Sequence, residues 1–220
     1  MKGLLIKDFK LIFSNARMLV VIVCIAFFML FGSDTMDGSF VVSYLTIISF
    51  MFVLTSISYD DFDHGLSFLL TLPVSRKTYV REKYCFGLLC GFGGWFLALL
   101  LCLISGFVKN SFVPLSDFML TSIMVYIILT FMLTITIPIQ LKFGGDNGKI
   151  FIMILIGVLF AMGLIVSRIA GHFHVDLTKW MDHLFALNSA FLILISVFLA
   201  LTALVVSYLV SLRVMDKKQL

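Results

Sequence analysis

The chain has 220 residues, 61% of them apolar and only 13% charged, with a net charge of +4. Soluble domains run at ~45–50% apolar and ~25% charged, and a folded chain of this size still leaves about a third of its surface in water, so a soluble globular domain is excluded. The sixteen basic residues are scattered between apolar runs instead of forming a patch, which excludes a nucleic-acid surface and leaves lipid as the solvent.

In chain order, residues 1–17 read first as an amphipathic helix. Leu5, Ile6, Phe9, Ile12 and Phe13 share one face, and Lys7, Lys10, Ser14 and Arg17 the other, the pattern of a helix lying in the membrane interface. The segment is too long and too patterned for a cleaved leader, so none is expected. Uncharged apolar windows then follow at Met18–Gly32, Phe40–Ile57, Tyr84–Val108, Phe118–Leu141, Ile150–Ser167 and Ser189–Leu212. Each is continuously apolar instead of alternating, so the expected fold is all-α and integral to the membrane, with six transmembrane helices in a single domain over residues 1–220. Pro138 and Gln140 predict a kinked or frayed end to the fourth window. Cys24, Cys85, Cys90 and Cys102 lie in or beside apolar runs without a C-x-x-C pair and read as small packing residues.

Thirteen basic residues fall on one side of this layout and three, Lys109, Arg168 and Lys179, on the other. That asymmetry predicts both termini in the cytoplasm, with a cytoplasmic loop over residues 58–83 and an extracellular one over 168–188.

Two absences bound the function. The windows hold no Asp, Glu, Lys, Arg or His, so coupled ion transport, intramembrane proteolysis by aspartates and voltage sensing lack the groups they need at depth. The chain also has no G-x-x-x-x-G-K-[ST] phosphate loop, so any ATP hydrolysis belongs to another polypeptide. Residues 144–148, Gly-Gly-Asp-Asn-Gly, read as a tight turn between the fourth and fifth spans. Small residues recur at helical spacing as Gly87, Gly91, Gly94 and Ala98, as Ser196, Ala200, Ala203, Ser207 and Ser211, and as Gly157 with Ala161. Such stripes let helices approach closely in lipid, by default within one chain. In the outer loop His172, His174, His183, Asp176 and Asp182 carry an alternative reading, a membrane enzyme with an outward metal site. A solvated hairpin with Trp180 at the interface is the ordinary one, and no metal is assigned. A non-transporting scaffold or sensor is a third.

The 58–83 loop is the most informative. Asp60 or Asp61 is expected to cap a short helix of about three turns on which Phe62, Leu66, Leu69 and Leu70 form one apolar stripe. Pro73 ends it, and Ser75 caps a second helix that runs through Lys83 into the third span. An amphipathic helix with an acidic start suits a partner's groove better than an anionic bilayer.

Asp61, Gly65 and Leu69-Leu70-Thr71-Leu72-Pro73-Val74-Ser75-Arg76 resemble the corresponding loop of ABC-2 type exporter permeases. The likeness extends over the whole chain, through the interfacial N-terminal helix and the six-span layout. It departs from the family pattern in having Asp61 where Glu is usual and Leu66 after Gly65 where Thr is usual. The resemblance implies a coupling helix docking onto a separate ATP-binding subunit, through Asp61, Phe62, Gly65, Leu66, Leu69 and Leu70. Pro73, Ser75, Arg76 and Lys77 would anchor the loop, the last two at lipid headgroups. It further implies a second permease copy or sister permease, ATP and Mg on the partner and no cofactor in this chain. The resemblance also implies the bacterial cytoplasmic membrane as the place, and a peptide, an antimicrobial or another amphipathic compound as the cargo.

Overall fold

The computed structural model describes residues 2–14, 16–32, 38–62, 65–71, 74–109, 115–172 and 189–218. Among them regular structure is helical throughout, in eight α-helices: α1 (Lys2–Ser14), α2 (Ala16–Gly32), α3 (Gly38–Asp61), α4 (Gly65–Thr71), α5 (Arg76–Lys109), α6 (Leu115–Phe143), α7 (Gly145–His172) and α8 (Ser189–Lys217). The six expected spans each fall on one helix, α2, α3, α5, α6, α7 and α8. Four stretches are by themselves long and apolar enough to cross a membrane: α3, α5, Phe118–Phe143 of α6 and Phe191–Lys217 of α8. A fifth joins them if α1 and α2, set at 67° to each other, form one bent path.

Helix α5 packs on α3 along its length and also touches α6 and α8. The glycine stripe is the reason. Gly87, Gly91 and Gly94 are buried, and a Cβ at Gly87 would sit 2.6 Å from Leu133, at Gly91 hard against the edge of the Phe50 ring, and at Gly94 on the Ser49 side chain. Lacking side chains there, α5 lies directly against α3, and Ala98, fully buried, continues the contact. The expected intramolecular packing of this stripe is therefore what the chain does.

The serine stripe does more than pack. Tyr84 Oη lies 2.5 Å from Ser207 Oγ and 2.8 Å from Ser211 Oγ, joining α5 to α8. Ser207 also donates to the Thr134 carbonyl. That carbonyl is four residues before Pro138, which has no N–H to offer it. The proline therefore leaves α6 unbroken through Phe143 instead of fraying it, because a neighbouring helix takes over the freed acceptor. Gln140 is fully buried and donates to the Leu54 carbonyl at 2.7 Å and to Ser58 Oγ at 2.8 Å. The turn after α6 is a single residue, Gly144, at φ +82°, where a Cβ would collide with Asp61. All four cysteines are free, and Cys90 and Cys102 are buried in the packing as expected, whereas Cys24 is exposed.

Candidate functional site

The loop region resolves into three pieces that differ from the expected layout. Helix α3 runs on through Asp61, so Asp60 and Asp61 end α3 instead of capping α4. Helix α4 is two turns long, not three, and begins at Gly65, which leaves Phe62 outside it at the end of α3. Leu66 and Leu69, 3% and 8% exposed, turn inward and join the core formed by Ile57, Tyr79, Val80, Leu141 and Met215. They fasten α4 to its own bundle and are not free for a partner. The residues that face out are Phe62 and Phe68, 68% and 69% exposed. Gly65 is half-buried, with the Asp60 carbonyl 3.0 Å from where its Cβ would be. The Leu70 side chain and Pro73 lie outside the described residues.

The anchors also sort differently. Ser75 caps α5 as expected, its Oγ accepting from the Thr78 amide at 3.2 Å. Arg76 reaches not outward to headgroups but across to α8, donating to the carbonyls of Met215 and Asp216 at 2.8 and 2.9 Å. Those acceptors belong to the unpaired carbonyls at a helix C-terminus, where a cation is favoured. Asp61 is paired with Lys218 at 3.1 Å. Lys77 is exposed.

Beside α4 lies a cluster that the sequence reading passed over. Helix α5 is 34 residues, about 51 Å at 1.5 Å per residue, against a hydrocarbon core of ~30 Å, so its first two turns, Arg76–Lys83, precede the apolar run. Lys83 is completely buried. Its ammonium has three N–H groups and three partners: Asp8 Oδ2 at 2.5 Å, Asp60 Oδ2 at 2.7 Å and Ser56 Oγ at 2.6 Å. Lys7 contacts the same two carboxylates, Asp8 at 3.2 Å and Asp60 more closely. Tyr79 donates to Asp60 Oδ2 at 3.1 Å. Two lysines and two aspartates thus make all four possible cross-pairs, and they bind α1, α3 and α5 together at the α4 end of the bundle.

The electrostatics follow from this geometry. Burial disfavours the Asp8 carboxylate, but the Lys83 ammonium and its hydrogen bond outweigh that and hold Asp8 below the ordinary carboxylate range. Burial likewise opposes the Lys83 charge, and Asp60 and Asp8 more than compensate, raising it. Glu82, next along α5, has no such help. It is fully buried, neither carboxylate oxygen has a hydrogen-bond partner, and Lys83 Nζ is 3.7 Å away. Burial, with the Asp8 charge adding to it against Lys83, pushes Glu82 from the ordinary 4.5 to about 7.

A signal for this cluster was present. Lys83 lies four residues before Gly87 and four after Tyr79, on the line of the glycine stripe. Asp60 continues the buried row of Val53, Ser56 and Ile57 on α3, and Asp8 sits between Leu4 and Ile12 on α1. The inner face of α1 is therefore Leu4, Asp8 and Ile12, flanked by the partly buried Leu5 and Phe9, while Ile6 and Phe13 are exposed. The expected helix is present, with its apolar face rotated. The metal alternative of the outer loop rests on His174, His183, Asp176, Asp182 and the His172 side chain, all outside the described residues.

The model of the ABC-2 family transporter protein matches residues 3–216, nearly the whole chain. The chain belongs to that family. No curated protein and no solved structure matches it significantly. An ABC-2 family membrane protein is a transport subunit, in keeping with a multi-pass chain of apolar helices and with the absence of a phosphate loop from the sequence. Within this permease the α4 region combines an inward-pinned helix, an outward aromatic pair and a charged joint to α1.

Proposed function

We propose that this chain is the membrane subunit of an ATP-driven exporter. Six spans, α2, α3, α5, α6, α7 and α8, cross the bacterial cytoplasmic membrane with both termini inside, and α4 docks onto a separate ATP-binding subunit. The observation that carries the reading is the exposure of Phe62, at the end of α3, and of Phe68, on the short helix α4 whose other face is locked into the bundle by Leu66 and Leu69; both rings are more than two-thirds uncovered. An aromatic pair on a rigid base is the kind of anchor that fills a partner's pocket. Because α4 packs against α3, whose last turn carries Asp60, a push on it reaches α1 and α5 through the Lys83 pairs. ATP and Mg would be held by the partner, and a second permease, identical or sister, would complete the path. The cargo that suits a path without ionisable groups in its apolar windows is amphipathic, such as a peptide or an antimicrobial.

The test is whether an ATP-binding subunit co-purifies with the chain from its native membrane. Burying one Phe contributes about 1.5–3 kcal/mol, so Phe68→Asp is expected to weaken the partner's affinity at least ~10–100-fold while the permease itself folds normally. Leu66→Asp, in contrast, should reduce the amount of folded permease even without the partner. Full retention of the ATPase by a Phe62→Asp/Phe68→Asp double variant would remove α4 as the docking element.

A further inference from the structure

The charge count of the joint is uneven. Lys7 and Lys83 are balanced by Asp8 and Asp60, each cation touching both anions. Glu82 is a fifth ionisable group, with 0% exposure and two oxygens that accept no hydrogen bond. Oδ1 of Asp8 also accepts no hydrogen bond, with Lys7 Nζ 3.2 Å from it, and the Asp8 and Glu82 carboxyl groups converge on one ammonium, Lys83 Nζ lying 2.5 Å from Asp8 and 3.7 Å from Glu82. Two carboxylates cannot bond each other, since both are acceptors only, but a carboxylic acid can donate to a carboxylate. One proton on Glu82 would therefore neutralise the surplus charge and turn two facing acceptors into a donor and an acceptor.

We propose that Glu82 of α5 and Asp8 of α1 form a proton-binding site, a carboxyl–carboxylate pair whose single proton clamps the N-terminal helix to α5. The pair sits on two different helices, so removing the proton sets two like charges against each other across the α1–α5 contact. The groups facing Glu82 are Lys7 and Asp8 from α1 and Lys83 on its own helix, with Tyr79 of α5 and Asp60 of α3 on the far side of Lys83. The charged end of α8, with Arg213, Asp216 and Lys217, is tied to α5 nearly two turns earlier, at Arg76. Lys142 of α6 lies over the Phe143 ring. Burial's upward push on Glu82, to about 7, puts the exchange within reach of ordinary pH changes.

A group held neutral in the folded state and ionised in the unfolded one stabilises the fold at low pH. That contribution is full below the ordinary 4.5 and is lost as pH rises through about 7. The experiment is thermal unfolding of the full-length chain in phosphatidylcholine nanodiscs between pH 5 and 8. Wild type is expected to fall by on the order of 5 °C across that range. Glu82→Gln, which keeps an N–H donor towards Asp8, should hold its low-pH stability throughout. A Glu82→Gln profile parallel to wild type would overturn the proposal. An infrared titration of wild type alone decides independently of whether the variant folds. A protonated-carboxyl C=O band present at pH 6 and gone by pH 8.5 supports the site, and no such band at pH 6 refutes it. Neither readout involves the ATPase, so the proposal stands or falls apart from the transport reading.

Discussion

Helices α5 and α7 are both long, apolar and rich in glycine, yet they occupy opposite surroundings. On α5 the glycines Gly87, Gly91 and Gly94 are covered by α3 and α6, and the helix begins in a buried ionic joint. On α7, Gly157 and Gly163 have nothing within 4 Å of where a Cβ would be, and every described side chain from Ile150 to Arg168 except Ile152 is exposed. Composition sends both helices into lipid, because lipid accepts any apolar face. What distinguishes them is the polar root: α5 carries Tyr79, Lys83 and Tyr84 on its packed face, and each finds a partner on another helix. Helices of equal apolarity are ranked in a membrane by hydrogen bonds and close approach.

The sharpest way to break that contrast is at the root of α5. Lys83→Met keeps the length of the side chain and removes the charge, leaving Asp8 and Asp60 buried with only the partly exposed Lys7 as counter-ion. Breaking a buried pair from one side costs about 3–5 kcal/mol. We expect little folded protein after detergent extraction, measured by size exclusion and thermal unfolding. Adding Asp8→Asn and Asp60→Asn should restore much of the loss, since no buried charge is then left unpaired. If Lys83→Met alone were as stable as wild type, the ionic joint would not be what holds α5 in place.

These residues also mark how far the sequence could be read. The helical fold, the positions of the six apolar helices, the glycine stripe and the Ser75 cap were all legible, since each is fixed by a local rule: apolar continuity, residue size or a capping side chain. The joint was not. Lys83 and Asp60 stand one to three residues outside the apolar windows, where a charge ordinarily signals topology, and only extrapolating the buried rows of α3 and α5 would have shown them facing inward. The direction of α4 was illegible for another reason. An apolar stripe reads the same whether its own bundle or a partner covers it, so Leu66 and Leu69 looked like docking residues until the structure showed the core around them. The aromatic side chains that face outward are Phe62, already a member of the expected stripe, and Phe68, which it omitted.

A smaller effect tests close approach itself. Gly91→Leu puts a branched side chain where ring atoms of Phe50 already lie 2.7 and 2.8 Å from an added Cβ. Overpacking of this kind costs about 1–3 kcal/mol, and more where the backbone must move. The expected outcome is a lower melting temperature with the chain still inserted. Pairing it with Phe50→Ala should recover part of the loss, because the ring is the obstacle. Equal damage in the pair would place the obstacle in the α3 backbone instead.

The smallest effect is expected from the same substitution on α7. At Gly157 a leucine meets no atom within 4 Å, so nothing within the chain opposes it. A surface position away from packed features changes stability by less than about 0.5 kcal/mol, and loss of a helix-interior glycine gives a small gain of up to ~1 kcal/mol. Gly157→Leu should therefore melt at or slightly above wild type in dilute detergent, where Gly91→Leu melts clearly lower. The measurement is the melting temperature of both variants at two protein concentrations. A Gly157→Leu loss as large as that of Gly91→Leu, appearing only at the higher concentration, would mean that α7 is covered by a second chain. The contrast between the two helices would then belong to the isolated monomer and not to the working assembly.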